Sequence, residues 1–238
     1  MTAPHMTQRL DNHPLADIVK LFDNDFSKDS EHQKQFFQKI AQLFLDDASQ
    51  TRADITKIAG FLLQITNDET GCKGLLAAGD AFVRQYQSDK ALECYEKLKS
   101  DLLLLSGDRV DALFIQMAIK YSKVSTAKQN TARVVDILND ALTRAVKQKD
   151  MASQALIQMH LAKNEWLLNR YDKAIKTFQT GWALAGQCND ARLMGAAISF
   201  KIFFSFWQGR YKSVISHYEA SVSDIEKYPQ TGFPSLVT

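Results

Sequence analysis

Apolar residues recur along most of this chain at three- and four-residue intervals, the spacing of one face of an α-helix. Phe36, Phe37, Ile40, Leu43 and Phe44 make one such stripe, and Ile55, Ile58, Phe61, Leu62 and Ile65 make another. Ser30 with Gln33, and Thr51 with Asp54, have the spacing of side chains that cap the starts of those two helices. Asn67 and Asp68 then interrupt and can cap the next one. Residues 14–28 allow a short helix around Leu15, Ile18, Val19 and Phe22. Residues 14–68 are therefore expected to form amphipathic helices, each needing a partner for its apolar face. The polar, unpatterned residues 1–13 read as a disordered start.

From residue 69 onward the chain resembles itself. Asp89-Lys90-Ala91-Leu92 returns as Asp172-Lys173-Ala174-Ile175, with Arg133-Val134-Val135 between them and Tyr211-Lys212-Ser213-Val214 after them. A large apolar residue follows each anchor by four positions: Tyr95, Leu138, Phe178 and Tyr218. A mostly small one follows by seven: Leu98, Ala141, Gly181 and Ser221. A second ladder, Gly107-Asp108, Lys149-Asp150 and Asn189-Asp190, has the same period, and its Asp residues are expected to cap the first helix of each unit. Both ladders give a unit of about 40 residues, each a helical hairpin. Residues 69–228 are thus expected to hold four hairpins, and 229–238 a tail or a linker into further sequence.

These residues resemble the tetratricopeptide repeat (TPR). Gly79, Phe82, Ala91, Tyr95 and Leu98 follow its pattern in the first unit, with Leu98 in the last small slot. Ala162, Tyr171, Ala174, Phe178 and Gly181 follow it in the third, where Glu165 takes a slot usually held by an aromatic. The fourth keeps Gly209, Tyr211, Val214 and Tyr218; the second keeps only its second helix, Val134 to Ala145, in register. No unit has the terminal proline. The long unit and its Asp openings resemble the variety found in bacterial signalling and transcription regulators. The resemblance implies an all-α fold, a right-handed superhelical array of antiparallel hairpins in which small residues allow close approach and aromatics fill the gaps.

Composition sharpens this picture. The four prolines stand at 4, 14, 229 and 234, so the long span between Pro14 and Pro229 carries no obligate helix breaker. With 45% hydrophobic and 24% charged residues and mean hydropathy −0.25, the chain has the make-up of a soluble globular protein. The formal charge of +2 is uneven: residues 1–70 hold 7 Lys/Arg against 11 Asp/Glu, and residues 71–238 hold 22 against 16. No basic run suggests direct nucleic-acid binding. Cys72, Cys94 and Cys188 have no motif spacing and read as free thiols in a reducing compartment. No apolar start suggests a signal peptide and no stretch is long enough to span a membrane, so a cytoplasmic location is expected.

No phosphate loop, nucleophile elbow or metal-ligand spacing occurs, so the chain is expected to be no enzyme and to use no cofactor or metal. Of its histidines, His160 lies five positions before Glu165 on one helix, which points the two about 140° apart and argues against an acid/base pair. His160 instead reads as a solvated or interhelix residue. Glu165 is either exposed by register drift, paired with Lys163 or Arg170, or a polar feature of a groove.

In repeats of this kind the first helix of each hairpin lines the concave surface. That implies groove positions at Leu76, Asp80, Val83 and Arg84 in the first unit, at Met159, Lys163 and Trp166 in the third, and at Ser199, Phe203, Phe206 and Trp207 in the fourth. Gln116, Lys120 and Lys123 are the nearest candidates in the second. The favoured partner-binding set is Arg84, Lys120, Lys163 and Trp166, which suits a protein or peptide segment of acidic character. Phe200, Phe203, Phe204, Phe206 and Trp207 lie within eight residues and cover more than one helix face. They are either core or, with Phe203, Phe206 and Trp207, a surface for a homodimer or partner. The function expected is a protein–protein interaction module of a bacterial regulator; the alternative is a ligand- or peptide-sensing domain of a longer signalling or transcription protein.

Overall fold

Asp68 opens the first continuous helix as the sequence suggests: its carboxylate accepts the Gly71 N–H at 2.7 Å. The computed structural model describes residues 68–125 and 131–227, together with 38, 39, 41, 42, 59, 60, 62 and 63. The start at 1–13, the helix at 14–28, the caps at Ser30 and Thr51 and the tail at 229–238 lie outside the described residues. Among the described residues there are eight long helices and no strand: α1 (Glu69–Arg84), α2 (Ser88–Leu102), α3 (Asp108–Val124), α4 (Thr131–Lys147), α5 (Met151–Leu167), α6 (Tyr171–Cys188), α7 (Ala191–Trp207) and α8 (Tyr211–Lys227). Consecutive helices pair as α1–α2, α3–α4, α5–α6 and α7–α8.

Two compact units divide between Ser106 and Gly107. In the first, α1 packs on α2 where Gly79 faces Tyr95. A Cβ at Gly79 would overlap the tyrosine ring, so the missing side chain sets how close the helices come. The Tyr95 hydroxyl donates to Asp80 Oδ1 at 2.9 Å, which satisfies the polar tip of a ring that is otherwise buried. Ala41, Ala59 and Leu62 are buried in the same unit, and Leu62 lies against Gly74 of α1.

In the second unit, hairpins stack in chain order, with α4 against α5, α3 against α5, and α7 against both α5 and α6. The α5–α6 crossing is again set by a glycine. A Cβ at Gly181 would stand 3.0 Å from the Ala155 carbonyl oxygen, backbone that cannot yield easily. Around it Met159, Ala162, Ala174, Leu193, Ala197, Phe200, Phe203 and Phe204 form a continuous core.

Helix ends repeat as regularly as helix faces. Tyr86, Lys149, Asn169 and Gly209 all have positive φ and close the same pair of bonds onto the preceding helix. At Lys149, for example, its N–H bonds the Val146 carbonyl and the next N–H, of Asp150, bonds the Ala145 carbonyl, both at 3.0 Å. Asn189 is left-handed too, so the turns at 149, 169, 189 and 209 fall every 20 residues. Only Gly209 has the residue type that accepts this conformation freely. Of the three Asp residues expected as caps, Asp150 accepts from the Ser153 N–H and Asp190 from Arg192 and Leu193. Asp108 does not cap: Gly107, at φ 125°, takes the cap position and places Asp108 inside the first turn of α3.

Two stability outcomes follow from this packing. Gly79→Ala should lower the denaturant-unfolding free energy by about 1–3 kcal/mol, the usual range for overpacking a tight helix contact. Lys149→Gly should raise it by about 1 kcal/mol, because the left-handed turn no longer strains a Cβ; no gain in unfolding midpoint would contradict the strained-turn assignment.

Candidate functional site

The first helices α3, α5 and α7 lie side by side, α3 against α5 and α5 against α7, and form one wall of the second unit. Their junction is polar. Ser122 of α3, His160 and Asn164 of α5 are all buried. Asn164 Nδ2 donates to Ser122 Oγ at 3.1 Å and to the His160 carbonyl at 2.8 Å. The Ser122 hydroxyl, having accepted the amide proton, can donate to His160 Nδ1 3.1 Å away, which places the imidazole proton on Nε2. The far side of the ring meets Phe200 of α7 edge-on, with centroids 5.2 Å apart. His160 is therefore the interhelix residue that the sequence allowed, not a solvated one. Burial, and behind it the charges of Lys123 and Lys163, hold its pKa well below the ordinary 6.5.

Lys163 stands one turn after His160 on α5 and is itself partly buried. Desolvation alone lowers its pKa. Among the described residues no carboxylate pairs with it. Lys123, on the last turn of α3, is its counterpart one repeat earlier, and both ammonium groups act on the same imidazole. Lys120, the residue favoured from sequence, occupies the repeat position of His160 rather than that of Lys163, and is half-buried. Lys123 stood in the sequence as a lesser candidate; counting one unit back from Lys163 would have selected it.

The remaining candidates separate. Trp166 is half-buried, its ring 4.6 Å from Tyr171 and 5.6 Å from Phe204, so most of it serves packing between hairpins. Arg84 is exposed in the last turn of α1, in the first unit. Leu76 and Met159 are buried core residues, not groove residues, and Met159 lies against Gly181 of α6. Phe203 is corrected likewise: at 8% exposure it packs on Phe204 at 5.2 Å and belongs to the core, while Phe206 and Trp207 stay exposed.

Buried carboxylates take up part of the positive charge. Glu165, 1% exposed, is bridged at 3.2 Å by Arg170, the residue that precedes α6, and at 2.6 Å by Lys173 of α6. The expectation of an exposed Glu165 is thus corrected, and Arg170 rather than Lys163 is the anticipated partner it finds. Asp111 of α3 is held in the same way by Arg144 at 2.5 Å and Lys147 at 2.8 Å from α4. The Lys147 hydrogen bond, assisted by Arg144, keeps the Asp111 carboxyl below its usual range.

A solved structure with this arrangement is the crystal structure of a Rap protein complexed with competence and sporulation factor. It matches at TM-score 0.62 and 15% identity, over 93% of this chain and 62% of that one. The chain is an array of TPR-like hairpins. It spans less than two thirds of that Rap chain's length. No family model matches the sequence, and no curated protein matches it.

Within this TPR-like array, no group of His, Cys, Asp and Glu among the described residues is placed to hold a metal ion. No described helix is long and apolar enough to cross a membrane. Burial pushes the Cys72 and Cys94 thiols up to about 12, so both remain protonated core residues.

The buried imidazole predicts a pH dependence. Its pKa in the fold lies below the unfolded value of ~6.5, so the stability it contributes is complete above that pH. As pH falls below ~6.5 the unfolded chain takes up the proton first, and stability should drop by about 1.4 kcal/mol per pH unit until the folded-state value is reached. His160→Gln should remove most of that slope in chemical unfolding measured from pH 7 to 5.

Proposed function

We propose that this chain is a non-enzymatic interaction module of a cytoplasmic bacterial regulator, and that the α3–α5 wall takes an acidic segment of a protein or peptide. The observation that carries this reading is Lys163. A partly buried ammonium without a carboxylate partner is unfavourable in the free protein, and an incoming carboxylate offsets that directly. Lys123 doubles the local charge on the adjacent helix. The other buried carboxylates of the unit, Asp111 and Glu165, are already paired elsewhere and do not compete. That a Rap protein of the same fold was solved with competence and sporulation factor supports a binding role for such an array.

The alternative reading, a sensing domain within a longer signalling or transcription protein, is favoured by the position of His160. It touches α3 through Ser122 and α7 through Phe200 and feels the charges of both lysines, so neutralising those charges would reach a residue that joins three first helices.

Fluorescence-polarisation binding to a panel of short peptides of matched length, acidic, neutral and basic, tests the main reading. Acidic peptides should bind tightest, and their affinity should fall as salt rises. Lys163→Met should weaken them about tenfold, equivalent to about 1.4 kcal/mol, with the unfolding midpoint kept or raised. Equal affinity across the panel, or no change in Lys163→Met, would overturn it.

A further inference from the structure

Two kinds of seam join the first helices of the second unit. One repeat after His160, Lys163 and Asn164 stand Phe200, Phe203 and Phe204, and α7 packs through these apolar rings. Apolar contacts have no direction, so a seam made of them tolerates small shifts. The α3–α5 seam carries Ser122, His160 and Asn164 instead, all buried. Asn164 Nδ2 donates to Ser122 Oγ, and that hydroxyl pairs with His160 Nδ1, both at 3.1 Å. These bonds exist in one register only. A slip of α3 along α5 would leave buried donors and acceptors unpaired, a far larger cost than a shifted apolar contact.

The Ser122–Asn164 bond joins the sequence neighbours of two lysines. Ser122 precedes Lys123, and Asn164 follows Lys163. Side chains one residue apart on a helix diverge by about 100°. The step to the lysine is forward on α3 and backward on α5. Both helices pack against α4 and run the same way, so opposite steps from two facing residues project to the same side of the seam. The action of both ammonium groups on the one His160 ring agrees with that placement. We propose that Ser122 and Asn164 are positioning residues for the acidic-segment site proposed above, on which this assignment rests: their hydrogen bond locks α3 to α5 in the register that holds Lys123 and Lys163 together as one paired anchor. Neither of the two side chains has to touch the bound segment.

Double-mutant cycles on the whole chain, read as the dissociation constant of a fluorescent oligo-aspartate peptide, test this. Lys123→Met should weaken the peptide about fivefold in the otherwise unaltered chain, near the upper end for one exposed charge pair. In Ser122→Ala the same Lys123→Met change should cost less than about twofold, because Lys123 is no longer held beside Lys163. Asn164→Ala breaks the bond from its other end and should uncouple Lys123 in the same way. A second cycle leaves the seam intact: Lys123→Met and Lys163→Met should be non-additive, since each lysine acts through the pair. Additive losses in that cycle overturn the proposal. So does a Lys123→Met cost that is the same with and without Ser122, the result of a merely structural hydrogen bond. If Lys163→Met still weakens the peptide in either case, the acidic-segment site stands and only its positioning is wrong; a peptide that does not bind removes both.

Discussion

Everything in this fold depends on how closely two helices of a hairpin approach, and that distance is set where a side chain is missing. Gly79 makes room for the Tyr95 ring against α1, and Gly181 lets α6 settle against the Ala155 carbonyl of α5. A hairpin closed that tightly presents its remaining aromatics at fixed heights. Phe178, Trp166 and Phe204 can then interlock from one hairpin to the next. Dispersion and apolar burial then act over the whole face between hairpins.

The polar interior obeys a different rule. The buried carboxylates and the buried imidazole of the second unit have partners beyond their own helix: Asp111 with Arg144 and Lys147, Glu165 with Arg170 and Lys173, His160 with Ser122. Such pairs add little net stability over an apolar core, yet removing one member is costly, so they fix which helices meet and in which register. Lys163 departs from that rule. Burial desolvates its ammonium, and no carboxylate among the described residues pairs with it.

Helix, hairpin and period were legible in the sequence, because each is enforced locally. Side chains at three- and four-residue spacing must share a face, small residues must mark close approach, and a proline-free span imposes no break. The 40-residue ladder even locates the left-handed turns, since Lys149, Asn169, Asn189 and Gly209 recur at half that period. The caps at Asp68, Asp150 and Asp190 were readable for the same reason, while the cap at α3 went to Gly107 because its positive φ ends the loop one residue earlier.

What the sequence left open are the properties that depend on which neighbour a face meets. Glu165 stands in an aromatic slot, and no spacing rule says that Arg170 and Lys173 fold back to neutralise it. Phe203 and Trp207 are one helical turn apart with the same hydrophobicity; packing of α7 on the preceding hairpin buries the first and leaves the second in water. Lys120 and Lys123 carry the same charge one turn apart, and only the lateral register of α3 on α5 decides that Lys123, with Lys163, acts electrostatically on the buried imidazole. Periodicity along the chain determined the helices and their pairing. Burial and charge at each site were decided by contacts between residues far apart in sequence, whose free energy no local pattern contains.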